Sequence, residues 1–156
     1  MVILPHRSDP ASCSRLGGAL RTLAAGLAGH AAQLATESAV MTLIDALVRG
    51  ADEVGAALQV HAQEVAEAVA AYERIGDRAV AVGLQLHAWK VSEPYGLAEA
   101  DAARRRLLAL PELQRQLEGL SARLARSRAQ LERVATRQGL AVQTAAARAR
   151  SVGSTG

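Results

Sequence analysis

The sequence predicts an all-α protein: an elongated antiparallel helical hairpin or bundle of three to four helices with a long central helix. The first observation is composition, since the 156 residues include 35 alanines, two tyrosines, one tryptophan and no phenylalanine. Alanine and leucine favour helices, whereas strands need the β-branched and aromatic residues that are scarce here. The second observation is a stripe of apolar residues from Val40 to Trp89, spaced alternately by four and three. This 3.5-residue period is typical of a coiled-coil seam.

The pattern along the chain sets the predicted boundaries. We predict a flexible N-terminal arm over 1–9, a helical bundle over 10–138 and a disordered tail over 139–156. Within the bundle, helices are predicted over 10–35, 38–89, 98–108 and 111–138. Pro10 suits the first turn of the first helix, and Pro94 with Gly96 separates the long helix from the next one. After Leu140 few large apolar residues remain, so the sequence predicts disorder there.

The connection between the first two helices coincides with a slip in the seam register between Leu34 and Val40. Serine and threonine at the slip favour a tight helix–helix turn, and a continuous helix with a three-residue stammer is the alternative. A turn there would align Leu20 with Val54 in an antiparallel pair. A second candidate break lies at Gly50, but the heptad phase passes through it unchanged, which favours a continuous helix.

The long seam is the candidate surface for a protein partner or for self-association. Its candidate contact residues are Val54, Leu58, His61, Val65, Tyr72, Ile75, Val82, Leu86 and Trp89. A second seam on the last helix consists of Leu113, Leu117, Leu120, Leu124, Ser127, Leu131 and Val134. His61 is the one polar residue in the long seam, and we interpret it as a polar layer that sets helix register.

No catalytic residue, metal ligand or cofactor is expected. The four histidines lack an HExxH spacing, and the seams carry no carboxylates for a di-metal bundle site. Cys13 is the only cysteine, so no disulfide can form within the chain. The predicted helix alignment places Cys13 in the layer of His61, but a nucleophile pair there would lack a third, orienting group. We therefore expect a non-enzymatic protein.

Charge is distributed unevenly along the chain. Residues 1–100 carry 7 basic and 11 acidic side chains, whereas residues 101–156 carry 11 basic and 4 acidic ones. Arg104, Arg105 and Arg106 are the candidate anion contacts. The arginines of the last predicted helix spread over four heptad columns without interleaved aromatics, so we favour a solvated face and do not expect nucleic-acid binding. A cytoplasmic coiled-coil adaptor, or a binder of an anionic surface such as nucleic acid or membrane, is the alternative function.

The chain lacks the apolar stretches that target or anchor proteins at membranes. The apolar run near its start is three residues long and is followed by a proline, too short for a signal-peptide core. No run of 18 apolar residues occurs, so no transmembrane segment is expected. The expected location is the cytoplasm, unless the protein is exported by a route that accepts folded substrates.

Two segments carry a resemblance to a known family. The segment ADEVGAALQVHAQEVAEA, Ala51 to Ala68, is similar in composition and spacing to the second helix of the actinobacterial WXG100 (ESAT-6-like) proteins and their longer relatives. Tyr95-Gly96-Leu97-Ala98-Glu99 matches their Tyr-x-x-x-Asp/Glu signal, while Thr36-Glu37-Ser38 stands where that family has Trp-x-Gly. The resemblance implies a type VII secretion-associated substrate or partner, with Tyr95 and Glu99 read by the export machinery.

Overall fold

The computed structural model describes residues 9–31, 38–96 and 98–153, which form three helices and one two-stranded antiparallel sheet. Helix α1 spans Pro10–Ala31, α2 spans Ser38–Ala81 and α3 spans Ala100–Gly153. Strands β1, Gln85–His87, and β2, Lys90–Ser92, form a hairpin between α2 and α3. The all-α class is confirmed, because the sheet has only three residues in each strand.

The chain divides into two units of dense internal contact. Unit 1 comprises residues 64–126, which are the second part of α2, the hairpin and the first part of α3. The described residues of unit 2 are 9–31, 38–63 and 127–153, which are α1, the first part of α2 and the last part of α3.

Unit 1 is held together by the two predicted seams packed against each other. One cluster of buried side chains contains Ile75, Ala79, Leu84, Val91, Leu113 and Leu117. A second cluster contains Val65, Ala68, Leu120 and Leu124. Leu113 and Leu117 are only 2% and 1% exposed. The apolar period of α2 is therefore satisfied largely by the chain's own α3, which removes both stripes from water.

Helix α2 ends in a Schellman motif at Gly83. The Gly83 amide donates to the Val80 carbonyl at 2.9 Å, and the Leu84 amide donates to the Ala79 carbonyl at 2.8 Å. Gly83 has φ of 76°, a left-handed conformation that glycine adopts without a Cβ penalty. The prediction of a helix over 38–89 is wrong beyond Ala81. The apolar spacing continues to Trp89 because residues of the β-hairpin also pack against the core of unit 1.

Gly83→Ala should destabilise unit 1 by about 1–3 kcal/mol, since an L side chain is strained at this φ. A Cβ at this position would also lie 2.8 Å from Nη2 of Arg106. Urea denaturation followed by far-UV circular dichroism measures the change. Gly119→Ala is the matched control, because nothing lies within 4 Å of its added Cβ. It should stabilise α3 by up to about 1 kcal/mol, and the same effect in both variants would contradict the prediction.

The hairpin turns at Ala88 and Trp89, whose φ values are 45° and 69°. Two left-handed residues between paired His87 and Lys90 are typical of a type I′ turn, which usually contains asparagine and glycine. The Trp89 ring lies against the Tyr72 ring, with centroids 5.2 Å apart and planes at 56°. This aromatic packing offsets the unfavourable turn conformation. No turn signal marks the hairpin in the sequence.

In unit 2, α1 crosses α2 at a pair of glycines. A Cβ at Gly17 would lie 2.6 Å from the Gly55 carbonyl oxygen, and a Cβ at Gly55 would lie 2.6 Å from the Gly17 carbonyl oxygen. Arg21 Nε also binds Asp52 Oδ1 at 3.0 Å. These contacts fall within two residues of the register that aligns Leu20 with Val54. Residues 32–37, where the turn is predicted, lie outside the described residues.

Two further boundaries differ from the prediction. Helix α3 contains Pro111 in its interior, so the expected break between 108 and 111 does not occur. Burial of Leu113 and Leu117 favours continuity, although Pro111 cannot donate the usual backbone hydrogen bond. The tail predicted to be disordered is helical to Gly153. Alanine is the strongest helix former, and Ala145 is buried, so counting only large apolar residues underestimated order there.

The remaining predicted boundaries lie near α1 and Gly50. Asp9 caps α1, since its carboxylate accepts from the amides of Ala11 and Ser12 and from the Ser12 hydroxyl. The Ser12 hydrogen bonds lower the pKa of Asp9. The rest of the predicted arm, residues 1–8, lies outside the described residues. Helix α2 runs through Gly50 without a break.

Candidate functional site

All nine predicted contacts of the interaction seam are buried or half-buried. Leu58, His61, Val65 and Ile75 are buried. The other five predicted contacts are half-buried, and these are Val54, Tyr72, Val82, Leu86 and Trp89. Leucines of α3 bury Val65 and Ile75 in unit 1. A partner could therefore reach only the half-buried positions, and the role of the seam as a partner surface stays a prediction.

The polar residues that interrupt the two seams form a hydrogen bond with each other in unit 2. His61 is 5% exposed, and its Nδ1 lies 2.8 Å from Oγ of Ser127. A buried polar group that is satisfied in this way can fix the register of neighbouring helices. Cys13, the other sequence-based candidate, is half-buried on α1. The sequence contained both polar interruptions, but no signal within it paired them.

Acidic residues of α2 form ion pairs with two arginines of α3. In unit 1, Nε of Arg123 lies 2.5 Å from Oε2 of Glu64, and its Nη2 lies 2.6 Å from Oε2 of Glu67. Hydrogen bonds to Glu64, and to a lesser extent to Glu67, raise the pKa of the Arg123 guanidinium. In unit 2, Arg137 lies 2.6 Å from Glu53. The uneven charge of the sequence therefore serves contacts within the chain.

The three arginines predicted as one anion contact do not share one environment. Arg104 and Arg105 are exposed, whereas Arg106 is half-buried. The Arg106 guanidinium lies over Gly83 at the carboxyl end of α2, where the last carbonyls favour a cation. The three side chains therefore differ in accessibility, and their role as anion contacts stays a prediction.

The candidate export residues both lie just before the start of α3 and are accessible. Tyr95 is fully exposed, at 109% relative accessibility, and Glu99 is exposed as well. The Glu99 carbonyl accepts from the Ala103 amide at 2.9 Å, so the backbone of Glu99 is fixed by the helix start. Leu97, between them, lies outside the described residues.

An apolar groove of about 540 Å³ lies in unit 2 between α1, α2 and α3. We call it the apolar groove, and its large apolar lining residues are Leu20, Leu23, Leu27, Leu47, Val54 and Val142. Leu23 is 55% exposed and Leu47 is 37% exposed. Its polar lining residues, Gln138 and Gln143, are uncharged. The position of the apolar groove depends on which side of α2 is left uncovered by α1, and the sequence alone does not show this.

A second groove of about 390 Å³ lies between α2 and α3 in unit 2. We call it the basic groove, and it is lined by Thr42, Ala46, Arg49, Arg137, Leu140, Ala141, Thr144, Ala145 and Arg148. The three arginines surround an apolar floor that includes the buried residues Ala46 and Ala145. This combination favours an amphipathic ligand with negative charge.

Neither a protein-family model, nor a curated protein, nor a solved structure matches this chain. Within the described residues, no group of three or more histidine, cysteine, aspartate or glutamate side chains is placed to hold a metal ion. The described helices also include none that is both long and apolar enough to cross a bilayer.

Proposed function

We propose that this protein is a non-enzymatic helical interaction protein, a WXG100-like substrate or partner associated with type VII secretion. The observation that carries the interaction role is the apolar groove, which exposes Leu23 and Leu47 on neighbouring helices. Apolar surface concentrated in a groove is typical of a protein-binding site. In this proposal, α1, α2 and α3 of unit 2 form an antiparallel bundle with one open position.

The occupant that fits this groove is one helix of a partner protein with an uncharged apolar stripe. Three helices line the groove, and a fourth would complete a bundle cross-section. The described residues that line the groove include no charged side chain. A charged stripe would therefore lose hydration there without gaining an ion pair from them. Leu20, Leu23 and Leu27 are spaced by three and four residues, about one helical turn each. Contacts of a helix in a groove use this spacing.

Leu23→Glu should weaken partner binding at least about tenfold, because it places a charge in the groove and removes a leucine contact. Light scattering measures the mass of the full chain, alone and mixed with the product of the neighbouring gene. We expect the mixture to exceed the monomer mass for the wild type and to lose this excess in the variant.

Leu108→Glu is the matched control, since Leu108 is 70% exposed and belongs to unit 1. It should leave the mass of the mixture unchanged. Self-association of the wild type would identify a second copy as the occupant. Monomer mass in every mixture would contradict the proposed interaction with that gene product.

Tyr95 and Glu99 support the export part of the proposal, because their exposed side chains could contact a recognition protein without unfolding of α3. Tyr95→Ala and Glu99→Ala should each abolish accumulation in the culture supernatant while the amount in the cell lysate is maintained. Immunoblotting of both fractions from a host with a type VII system is the measurement.

Glu93→Ala is the matched control, because Glu93 is exposed and lies just outside the five-residue signal. Its supernatant level should equal that of the wild type. Equal export of the signal variants, or no export of the wild type, would reject the type VII role. Partner binding without export would instead identify the alternative function, a cytoplasmic adaptor.

A further inference from the structure

The basic groove is a candidate site that differs in its residues from the apolar groove. We propose that it binds an amphipathic helix of a partner protein, with acidic side chains three helical turns apart and apolar residues between them. This inference goes beyond the proposed function, since it assigns a second, charge-selective surface to unit 2.

The spacing of the arginines defines the length of the occupant. Arg137 and Arg148 lie on one face of α3, eleven residues or about 16 Å apart along the axis. Arg49 of α2 lies one turn from Glu53, the ion-pair partner of Arg137. Because Glu53 already pairs with Arg137, Arg49 supplies the free positive charge at this end of the groove and Arg148 supplies it at the other. A helix with carboxylates eleven positions apart matches this spacing on one face.

The floor between the charges is apolar and shallow. Ala46 is 8% exposed and Ala145 is 5% exposed, so they form the apolar floor and offer little contact area of their own. Leu140 also lines the groove and is 65% exposed. Covering Leu140 removes apolar surface from water, which is a favourable contribution that a purely charged ligand would not gain.

Two groove arginines retain capacity for a carboxylate. Among the described residues, Arg21, Arg115, Arg123, Arg128 and Arg137 form ion pairs. Arg49 and Arg148 form none within that part of the chain, and Arg49 Nε donates only to the Asp45 carbonyl of its own helix, at 3.4 Å. A guanidinium presents several donors in a fixed plane, which suits a carboxylate.

The lining favours an acidic helix over a phosphate backbone. Thr42 Oγ1 donates to the Ser38 carbonyl and Thr144 Oγ1 donates to the Leu140 carbonyl, both at 2.9 Å, so their hydroxyl protons are already used. Among the described residues that line the groove, none is aromatic and available for base stacking. Closely spaced phosphates would also lie over the apolar floor, where they would lose hydration without a counter-charge.

Fluorescence anisotropy of a labelled helical peptide tests the proposal with the full chain. The peptide carries glutamates eleven positions apart with leucine and alanine between them, and the control peptide has lysines in place of the glutamates. Arg49→Gln/Arg148→Gln should lower the affinity for the glutamate peptide about tenfold. Leu140→Ala should also lower it, without any change of charge. The lysine peptide should not bind.

A matched double variant separates the groove from general attraction to a basic surface. Arg126→Gln/Arg133→Gln removes the same charge from exposed positions of α3 outside the groove, and it should retain wild-type affinity. Equal losses in both double variants, or no binding of the glutamate peptide by wild type, would overturn the proposal. Leu23→Glu, in the apolar groove, should leave peptide affinity unchanged, and a loss there would refute a separate site.

Random-sequence duplex DNA and phosphatidylserine vesicles serve as competitors. Neither should displace the peptide at moderate ionic strength. Displacement that requires Arg49 and Arg148 but tolerates Leu140→Ala would overturn the peptide assignment and identify a phosphate-binding surface. Such binding would weaken steeply with added salt.

Discussion

Gly17→Ala and Gly55→Ala should each destabilise the docking of α1 on α2 by about 1–3 kcal/mol. In both variants the added methyl group meets a backbone carbonyl oxygen at 2.6 Å, and a backbone atom cannot move aside as a flexible side chain can. The helices must therefore separate, which exposes neighbouring apolar contacts. Hydrogen exchange of the α1 amides, together with urea denaturation, measures the loss.

Gly18→Ala is the control, one residue from Gly17, because nothing lies within 4 Å of its added Cβ. It should stabilise α1 by up to about 1 kcal/mol through helix propensity alone. The double variant Gly17→Ala/Gly55→Ala should cost less than the sum of its parts, since one substitution already separates the backbones. Stabilisation by Gly17→Ala similar to that by Gly18→Ala would refute the close crossing.

Leu117→Ala should lower the free energy of unfolding by about 2–5 kcal/mol, because it leaves a cavity at one of the most buried positions of unit 1. Leu117 is 1% exposed and belongs to the cluster that includes Ile75 and Leu84. Chemical denaturation at several protein concentrations measures the change. The midpoint should not depend on concentration if the seam is covered within one chain.

Leu107→Ala, on the same helix, is the comparison, since Leu107 is 69% exposed. Its effect should stay within about 0.5 kcal/mol. A midpoint for Leu117→Ala that rises strongly with protein concentration would contradict the burial of this seam within one chain. It would restore the sequence-based expectation that the seam is a surface for another chain.

The periodic seam of α2 could be predicted because buried helix faces repeat at near-heptad spacing. The same signal misplaced the end of α2, since Leu86 and Trp89 keep the spacing while they pack on the core from β1 and the turn. Periodicity reports which residues are apolar, but it does not report backbone conformation. The sequence does not distinguish Gly83, which ends α2, from the glycines within the helices. The difference is its left-handed φ, which only the structure shows.

The errors on α3 have a different cause. Pro111 is a residue that usually interrupts helices. The segment after Leu140 has few large apolar residues, which is typical of disorder. Both are continuous with a helix whose face includes buried Leu113 and Ala145, and such tertiary packing determines the local state.

The candidate sites were harder to predict than the fold class. Tyr95 and Glu99 could be named as candidates from the sequence because a linear motif lies within one short segment, and their export role stays a prediction. The grooves combine side chains from separate helices, so their location depends on which faces remain uncovered. Arg49 and Arg148, for example, are almost a hundred residues apart in the sequence and line one groove.

The ring contact between Tyr72 and Trp89 gives the protein an internal reporter. The chain contains one tryptophan and two tyrosines, and Tyr72, Trp89 and Tyr95 all belong to unit 1. Ultraviolet-excited emission therefore comes from unit 1 alone, and the Trp89 signal will change when its ring leaves Tyr72. The helices of both units contribute to far-UV circular dichroism. Recording both signals along one denaturation series thus separates the melting of unit 1 from that of unit 2 without a label.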